Sequence, residues 1–270
     1  MNVRAIARPI KSHYDAWKCW KKSRDEIGVL PVLCDKKRDA LDIGANGGNM
    51  AYFIRRHARF VHVFEPLRHL AEHLRKRFPS RIAVYQMALS ASDGEAELAT
   101  PVAGGLPLFG LSSLQLPEKN ANGAGTKMTG ETRRERVFLR RLDHVFKGDA
   151  AFIKIDVEGH EVDVLKGGRK TIERCRPTML IEASERVYPG SVAPLRSFLE
   201  ALNYDGWFIE SGSLRSIAEF TPPVASDVNL TQLADRNYLA KAQKYISDFI
   251  WLPSEHSSEI RQRLVRRLSR

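Results

Sequence analysis

The sequence predicts an α/β fold in which a mostly parallel sheet is doubly wound by helices, and three observations carry that prediction. Short apolar or β-branched runs alternate with segments whose apolar residues recur at helical spacing. The first run, Asp39-Ala40-Leu41-Asp42-Ile43, ends in a glycine cluster, the usual entry from a strand into a helix at the ligand-binding edge of such a sheet. Acids stand where later runs end, at Glu65 and Asp156, and so gather at that same edge.

The elements follow in order. After the run at 39–43, Phe60-Val61-His62-Val63-Phe64 is β-branched and aromatic, hence a strand. Leu67, Leu70, Ala71, Leu74 and Phe78 then recur at helical spacing, with Pro66 suited to the first helical turn. A third strand is read at 82–87, a fourth at 150–155 and a fifth at 178–181. Helices follow through Val162, Leu165 and Ile172, and again through Leu195, Phe198, Leu199 and Leu202. Trp207-Phe208-Ile209 and Phe249-Ile250-Trp251-Leu252 supply two more apolar runs near the end, and the Ser211-Gly212-Ser213 turn suggests that the C-terminal part adds antiparallel pairing. Residues 100–132, rich in Gly, Pro, Asn and Thr, show no sustained period and read as a long loop. Leu106, Leu108, Phe109, Leu111, Leu114 and Leu116 give it something to bury, so it is expected to cover substrate as a lid.

Within 270 residues, Lys and Arg number 43 against 32 Asp and Glu, a formal charge of +11. That excess points to an anionic neighbour: nucleic acid, an acidic membrane surface or a phosphorylated acceptor. It is concentrated partly at the ends. Residues 1–37 form a basic N-terminal extension, and the tail 254–270 closes on IRQRLVRRLSR. There Ile260, Leu264 and Leu268 lie on one helical stripe, which either docks on the domain 38–253 or serves a phosphate- or lipid-binding arm. Cys19, Cys34 and Cys175 form no CxxC and suggest neither a disulfide framework nor a zinc site. With no signal-peptide core and no apolar stretch of roughly 18 residues, the expected location is the cytoplasm, with peripheral membrane attachment open.

Three constellations carry chemistry. The first is Leu41-Asp42-Ile43-Gly44-Ala45-Asn46-Gly47-Gly48. Gly44 allows a sharp turn and close ligand approach, Gly48 allows the next helix to pack closely, and Asn46 tolerates left-handed geometry. A nicotinamide fingerprint would need Gly at 46 and 49, and both are Asn. The strand-end acid Asp42 instead suits a cationic ligand or an amino group, and Asp-x-Gly-x-Asn-x-Gly resembles the first motif of S-adenosylmethionine-dependent methyltransferases. The second is Glu65-Pro66, where a strand-end carboxylate can accept both ribose hydroxyls; the plainer reading is an acid complementing a helix dipole. The third is Asp156-Val157-Glu158-Gly159-His160-Glu161. Methyl transfer needs in-line positioning and removal of a proton. Asp156 or His160 suits the base, and Glu158 suits orienting substrate or holding a metal. Glu158 and Glu161 otherwise simply enrich a first helical turn in acid.

These blocks resemble the FkbM-type methyltransferases: LDIGANGG at 41–48, VFEP at 63–66, MALSASDGEAEL at 87–98, GLSSL at 110–114, RLD at 141–143 and IKIDVEGHEVDVLKGG at 153–168, with MLIEAS at 179–184 and DFIWLP at 248–253. The resemblance implies a Rossmann-like, seven-stranded class I methyltransferase sheet with an antiparallel C-terminal strand, and O-methylation of sugars or natural products. It implies S-adenosylmethionine as cofactor, held by Asp42, Gly44, Asn46 and Glu65, with Ala45, Gly48 and Pro66 in the same blocks and the Ala88-Leu89-Ser90 turn near the adenine. Asp156, Glu158 and His160 would line the transfer site, with Ser112, Ser113 and Glu182 nearby for the acceptor. A divalent metal such as Mg²⁺ is compatible with the acids there but not required. Two other functions stay open: an RNA ribose methyltransferase using the basic ends, and a catalytically silent binding protein of the same fold. The Asp156-Val157-Glu158-Gly159 block lacks the tetrad of amino-group base methylases, which makes nucleic acid the second choice.

Overall fold

A computed structural model describes residues 24–103, 105–114, 131–222 and 246–269. The chain runs α1 (Arg24–Leu33), β1 (Asp39–Ile43), α2 (Asn49–Ile54), β2 (Val61–Phe64), α3 (Arg68–Arg77), β3 (Ile82–Tyr85), β4 (Ala88–Leu89), β5 (Gly94–Ala103) and β6 (Leu106–Pro107). It continues with β7 (Thr132–Arg140), α4 (Leu142–Val145), β8 (Ala150–Ile155), α5 (Glu161–Gly167), α6 (Arg169–Cys175), β9 (Thr178–Glu182), α7 (Val192–Glu200), β10 (Tyr204–Glu210), β11 (Ser213–Ser216), β12 (Asp248–Pro253) and α8 (Ser254–Leu268). The architecture is α/β: a mostly parallel sheet in the order β11-β10-β12-β9-β8-β1-β2-β3, wound by helices on both faces. Strands β3, β2, β1, β8 and β9 run parallel, and β12 enters antiparallel between β9 and β10.

Every residue of β1 and β8 is buried, as expected of central parallel strands covered on both faces. Alternate side chains feed two cores. Leu41, Ile43, Ile153, Ile155 and Met179 pack under α5, α6 and α7. Ala40, Val61, Val63, Phe152 and Leu180 pack under α1, α2, α3 and α8. The sheet has eight strands rather than the expected seven, because Ser211 and Gly212 adopt positive φ of 51° and 78° and close a hairpin that adds β11.

Residues 100–132 are not simply a loop. β5 continues to Ala103, turns into β6, and pairs antiparallel with β7 from Gly94↔Leu139 to Pro101↔Thr132. With β4, these strands make a second sheet, β4-β7-β5-β6, while 115–130, including the apolar Leu116, lies outside the described residues. Three boundaries also move. α1 buries Ile27, Val29, Leu30 and Leu33, so the folded unit starts before residue 38. α3 begins at Arg68 with Leu67 as its N-cap, which leaves Pro66 ahead of the first turn. Ala88-Leu89 forms a strand rather than a turn. The basic tail is a helix whose Leu264 is fully buried, with Ile260 and Leu268 packed beside it. No helix among the described residues is long and apolar enough to cross a membrane.

Candidate active site

The C-terminal ends of β1, β2 and β8 meet in one place because their register is knitted there. Asp156 donates its backbone N–H to the Ile43 carbonyl (3.0 Å), and Gly44 donates to Phe64 (3.0 Å). Gly44 has φ +80°, and a Cβ built on it would overlap the Asp156 carbonyl oxygen. Its missing side chain is thus demanded by β8 as well as by any ligand. Asn46 takes the left-handed φ of 48°. Gly48, at φ +76°, leaves room for Leu74 and Phe78 of α3. Arg77 donates from its guanidinium to the Gly47 carbonyl and clamps the turn from outside.

Glu65 is placed by two backbone donors: Asn46 N–H to Oε2 at 2.8 Å and Leu67 N–H to Oε1 at 2.9 Å. It therefore serves both the glycine turn and the start of α3, and each oxygen keeps a lone pair for a hydroxyl. Burial pushes its carboxyl up to about 7, and the two N–H donors only partly offset this. Asp42 is fully buried, and neither carboxylate oxygen has a hydrogen-bond partner. Burial raises it to about 6 against the pull of Lys154.

Lys154 is the main residue that sequence reasoning missed. It sits opposite Asp42 in the β1–β8 register, with Nζ 2.7 Å from Asp156 Oδ2 and 4.0 Å from Asp42 Oδ1. Burial opposes its charge, yet Asp156 and Asp42 outweigh burial and raise its pKa. A lysine inside the otherwise apolar strand Ala150–Ile155 was the available signal, because a buried ammonium needs carboxylates nearby.

Beyond β8 the chain turns through two left-handed residues, Glu158 (φ 53°) and Gly159 (φ 94°). The Ser113 hydroxyl donates to the Glu158 carbonyl at 2.6 Å, and a Cβ on Gly159 would press on the Tyr188 ring. Burial, then Asp156 and Glu182, raise the Glu158 carboxyl well above its ordinary range. Glu161 turns back to accept the Gly159 N–H at 2.9 Å and is pushed up to about 7 by burial. His160 has Nε2 2.9 Å from Ser90 Oγ and Nδ1 3.5 Å from Asp163 Oδ2. Burial lowers its pKa, favouring the neutral imidazole.

These elements enclose a cleft of about 630 Å³. Gly44, Asn46, Glu65 and Pro66 line one wall and Asp156, Glu158 and His160 the other. Ala88 and Leu89 line its base, and Leu98, Phe109, Gly110, Ser112 and Leu114 of the second sheet roof it. Of the residues singled out in the sequence, Asp42, Ala45, Gly48, Ser113 and Glu182 do not line the cleft. Asp42 lies beneath the turn, Ala45 and Gly48 shape it, and Ser113 is a buried tether. Glu182 ends β9 opposite Asp248, and its carboxyl is raised first by Asp156 and then by burial. Tyr188, on the loop after β9, was also missed, although that loop leaves the same sheet edge.

The cleft fits S-adenosylmethionine on its own chemistry. The Glu65 lone pairs suit a ribose diol and the apolar Ala88 and Leu89 suit a purine, while the buried Asp42, paired with Lys154, supports the turn from beneath. Among the described residues no group of three or more His, Cys, Asp and Glu side chains is arranged to hold a metal ion.

Comparison with known proteins agrees with this geometry. The methyltransferase FkbM domain family matches residues 42–205. Among curated proteins no sequence matches the chain at a meaningful level. Among solved structures the chain is similar to methyltransferase FkbM from Methylobacillus flagellatus KT, at 16% identity and a TM-score of 0.48, covering 79% of this chain and 43% of that one. It is also similar to an rRNA methylase from Streptococcus thermophilus (10% identity, 91% and 95% covered, TM-score 0.42). A third is a SAM-dependent O-methyltransferase from Thermotoga maritima (10% identity, 90% and 72% covered, TM-score 0.40). With TM-scores below 0.5, none of the three says what this chain acts on.

Proposed function

The chain belongs to the FkbM methyltransferase family, and from that premise we propose that it transfers the methyl group of S-adenosylmethionine to a hydroxyl of a sugar, glycan or small metabolite. Bound in the cleft, the cofactor would supply an electrophilic methyl group on a sulfonium. Gly44, Asn46, Glu65, Pro66, Ala88 and Leu89 would hold it, with Glu65 accepting the ribose hydroxyls, while Asp42, Ala45 and Gly48 would keep the turn in shape.

The observation that carries the reading is the pinned carboxylate of Asp156. Lys154 holds Oδ2 at 2.7 Å, so the group is oriented, while Oδ1 has no hydrogen-bond partner among the described residues and is left for an acceptor hydroxyl. We assign Asp156 to take the hydroxyl proton as the oxygen attacks. Glu158, raised in pKa by burial and its neighbours, would donate to or orient a second hydroxyl, and Ser112 would stand at the roof on the acceptor side, with Ser113 tethering that roof to the Glu158 carbonyl. His160, tied to Ser90 and Asp163, would shape the wall and relay a proton. Glu182 would tune Asp156 from behind. A neutral, hydroxylated acceptor suits a cleft lined by Glu65, Asp156 and Glu158, whose carboxyl groups offer hydrogen-bond partners to hydroxyls.

The test is methyl transfer to a panel of sugars, glycans and lipid-linked glycans, with a single-stranded RNA alongside. Transfer to a hydroxylated sugar is expected. Asp156→Ala should lose roughly 10²-fold or more in turnover while still binding S-adenosylmethionine by calorimetry. Unchanged turnover in Asp156→Ala removes it as the base, and transfer to RNA alone overturns the acceptor class.

A further inference from the structure

The two helical layers differ in how far their charge is compensated. On the layer of α5, α6 and α7, Lys166 pairs with Asp163, Arg169 with Glu173 and Arg196 with Glu200, while Lys170 and Arg174 are exposed without an ion pair among the described residues. On the layer of α1, α2, α3 and α8 and its connecting turns, Lys36, Arg56, Arg75, Lys76, Arg266 and Arg267 are exposed, and none forms an ion pair among the described residues. The acids of that side are already engaged. Glu72 pairs with Arg68, Glu255 with Arg176 and Glu259 with Arg263, while Asp35 accepts the Lys37 backbone N–H.

The unpaired cations converge across element boundaries. Lys36 from the α1–β1 turn, Arg56 from the end of α2 and Arg267 from α8 all bear on His57, whose pKa is lowered first by burial and then by these three. Arg267 is fixed in place by donating to the Gly28 carbonyl of α1 (3.0 Å).

Two features separate the possible polyanions. Of the aromatic rings beside these cations, Tyr52 has the Arg55 and Arg56 guanidinium groups over it at 4.9 and 4.7 Å and Phe53 is buried with Arg56 at 5.7 Å, so neither is a free platform for a base. The cations also lie on the face of the sheet, whereas the cleft opens at its edge between acids. A nucleic acid threading into that cleft would leave the cations and meet like charge. A flat anionic surface that stays outside meets only the cations.

We propose that the α1–α2–α3–α8 face docks the protein on an anionic lipid bilayer, with lipid phosphates against Lys36, Arg56 and Arg267. This goes beyond methyl transfer and does not depend on it. Polybasic attachment of this kind grows with the number of cations and weakens with salt.

The experiment is sedimentation of the full chain with vesicles of phosphatidylcholine alone and of phosphatidylcholine mixed with phosphatidylglycerol. Binding to the mixed vesicles only, lost at high salt, is expected. The charge reversal Arg56→Glu/Arg267→Glu should lower the partition by roughly tenfold or more, and Arg56→Gln/Arg267→Gln by less. The control Lys170→Glu/Arg174→Glu, two exposed cations of the opposite layer, should bind as the parent does. Equal binding to both vesicles, no binding to either, or an equal loss in the control overturns the proposal. Release from the vesicles by stoichiometric single-stranded RNA also overturns it and assigns the face to nucleic acid.

Discussion

Burial lifts Glu65 from about 4.5 to about 7, so the folded protein holds more protons at this site than the unfolded chain between those values. Its contribution to stability is therefore lost as the pH rises through that window. Glu65→Gln removes the dependence. Measured by urea unfolding, the stability of the variant relative to the parent should improve by roughly 3 kcal/mol between about pH 4 and about pH 8, and a pH-independent difference would show that Glu65 titrates normally. Gly44→Ala should destabilise the protein by about 2–4 kcal/mol, because it combines a positive φ with a backbone collision at Asp156. The glycine turn was legible in the sequence as a place for a ligand, but this second demand was not, since β8 arrives more than a hundred residues later. Lys154→Met should cost about 3–5 kcal/mol by leaving the fully buried Asp42 without its cation. Retention of full stability would show that Asp42 does not need Lys154 in the fold. Nothing local in Ile153-Lys154-Ile155 says which strand supplies the partner; Asp42 does so only through the parallel register.

Strands of the main sheet announce themselves because burial on both sides makes them apolar throughout, and the limits read at 39–43 and 150–155 coincide with those observed. The second sheet hides for the opposite reason. β7 (TRRERVFLR) buries only Val137, and its charges make sense only against β5, where Arg134 meets Glu97 and Arg136 meets Glu95. Cross-strand pairs are invisible until the pairing is known. The roof is tied down by Ser113, so Ser113→Ala should loosen it. We expect a loss of about 1 kcal/mol in stability and faster hydrogen exchange in β5 and β6, with unchanged exchange arguing that the sheet holds itself. The C-terminal helix is anchored by its apolar stripe, as its spacing allowed. Leu264→Ala should cost about 2–5 kcal/mol, measured by thermal unfolding, and a neutral result would mean the helix is dispensable to the fold.

Among the described residues, twelve strands and eight α-helices build an acid-lined cleft and a sparsely compensated basic face. If the cleft takes S-adenosylmethionine, the ligand at about a hundred times its dissociation constant should stabilise the protein by about 2.7 kcal/mol. A thermal shift that is absent with the cofactor but present with another nucleotide would sink that assignment. Order along the chain was enough to read strand–helix alternation, the turn at Gly44, the acids at Glu65 and Asp156 and the apolar stripe of the tail, because each rests on residues a few positions apart. Four things required the folded chain: the pairing of Lys154 with Asp42 and Asp156, the roof made by β5, β6 and β7, the withdrawal of Ser113 and Glu182 from the cleft wall, and the gathering of Lys36, Arg56 and Arg267. Each joins side chains far apart in sequence, and such contacts are fixed by sheet order and register. The net charge of +11 could be counted from composition, but its uneven compensation across the sheet emerges only when the helices take their sides.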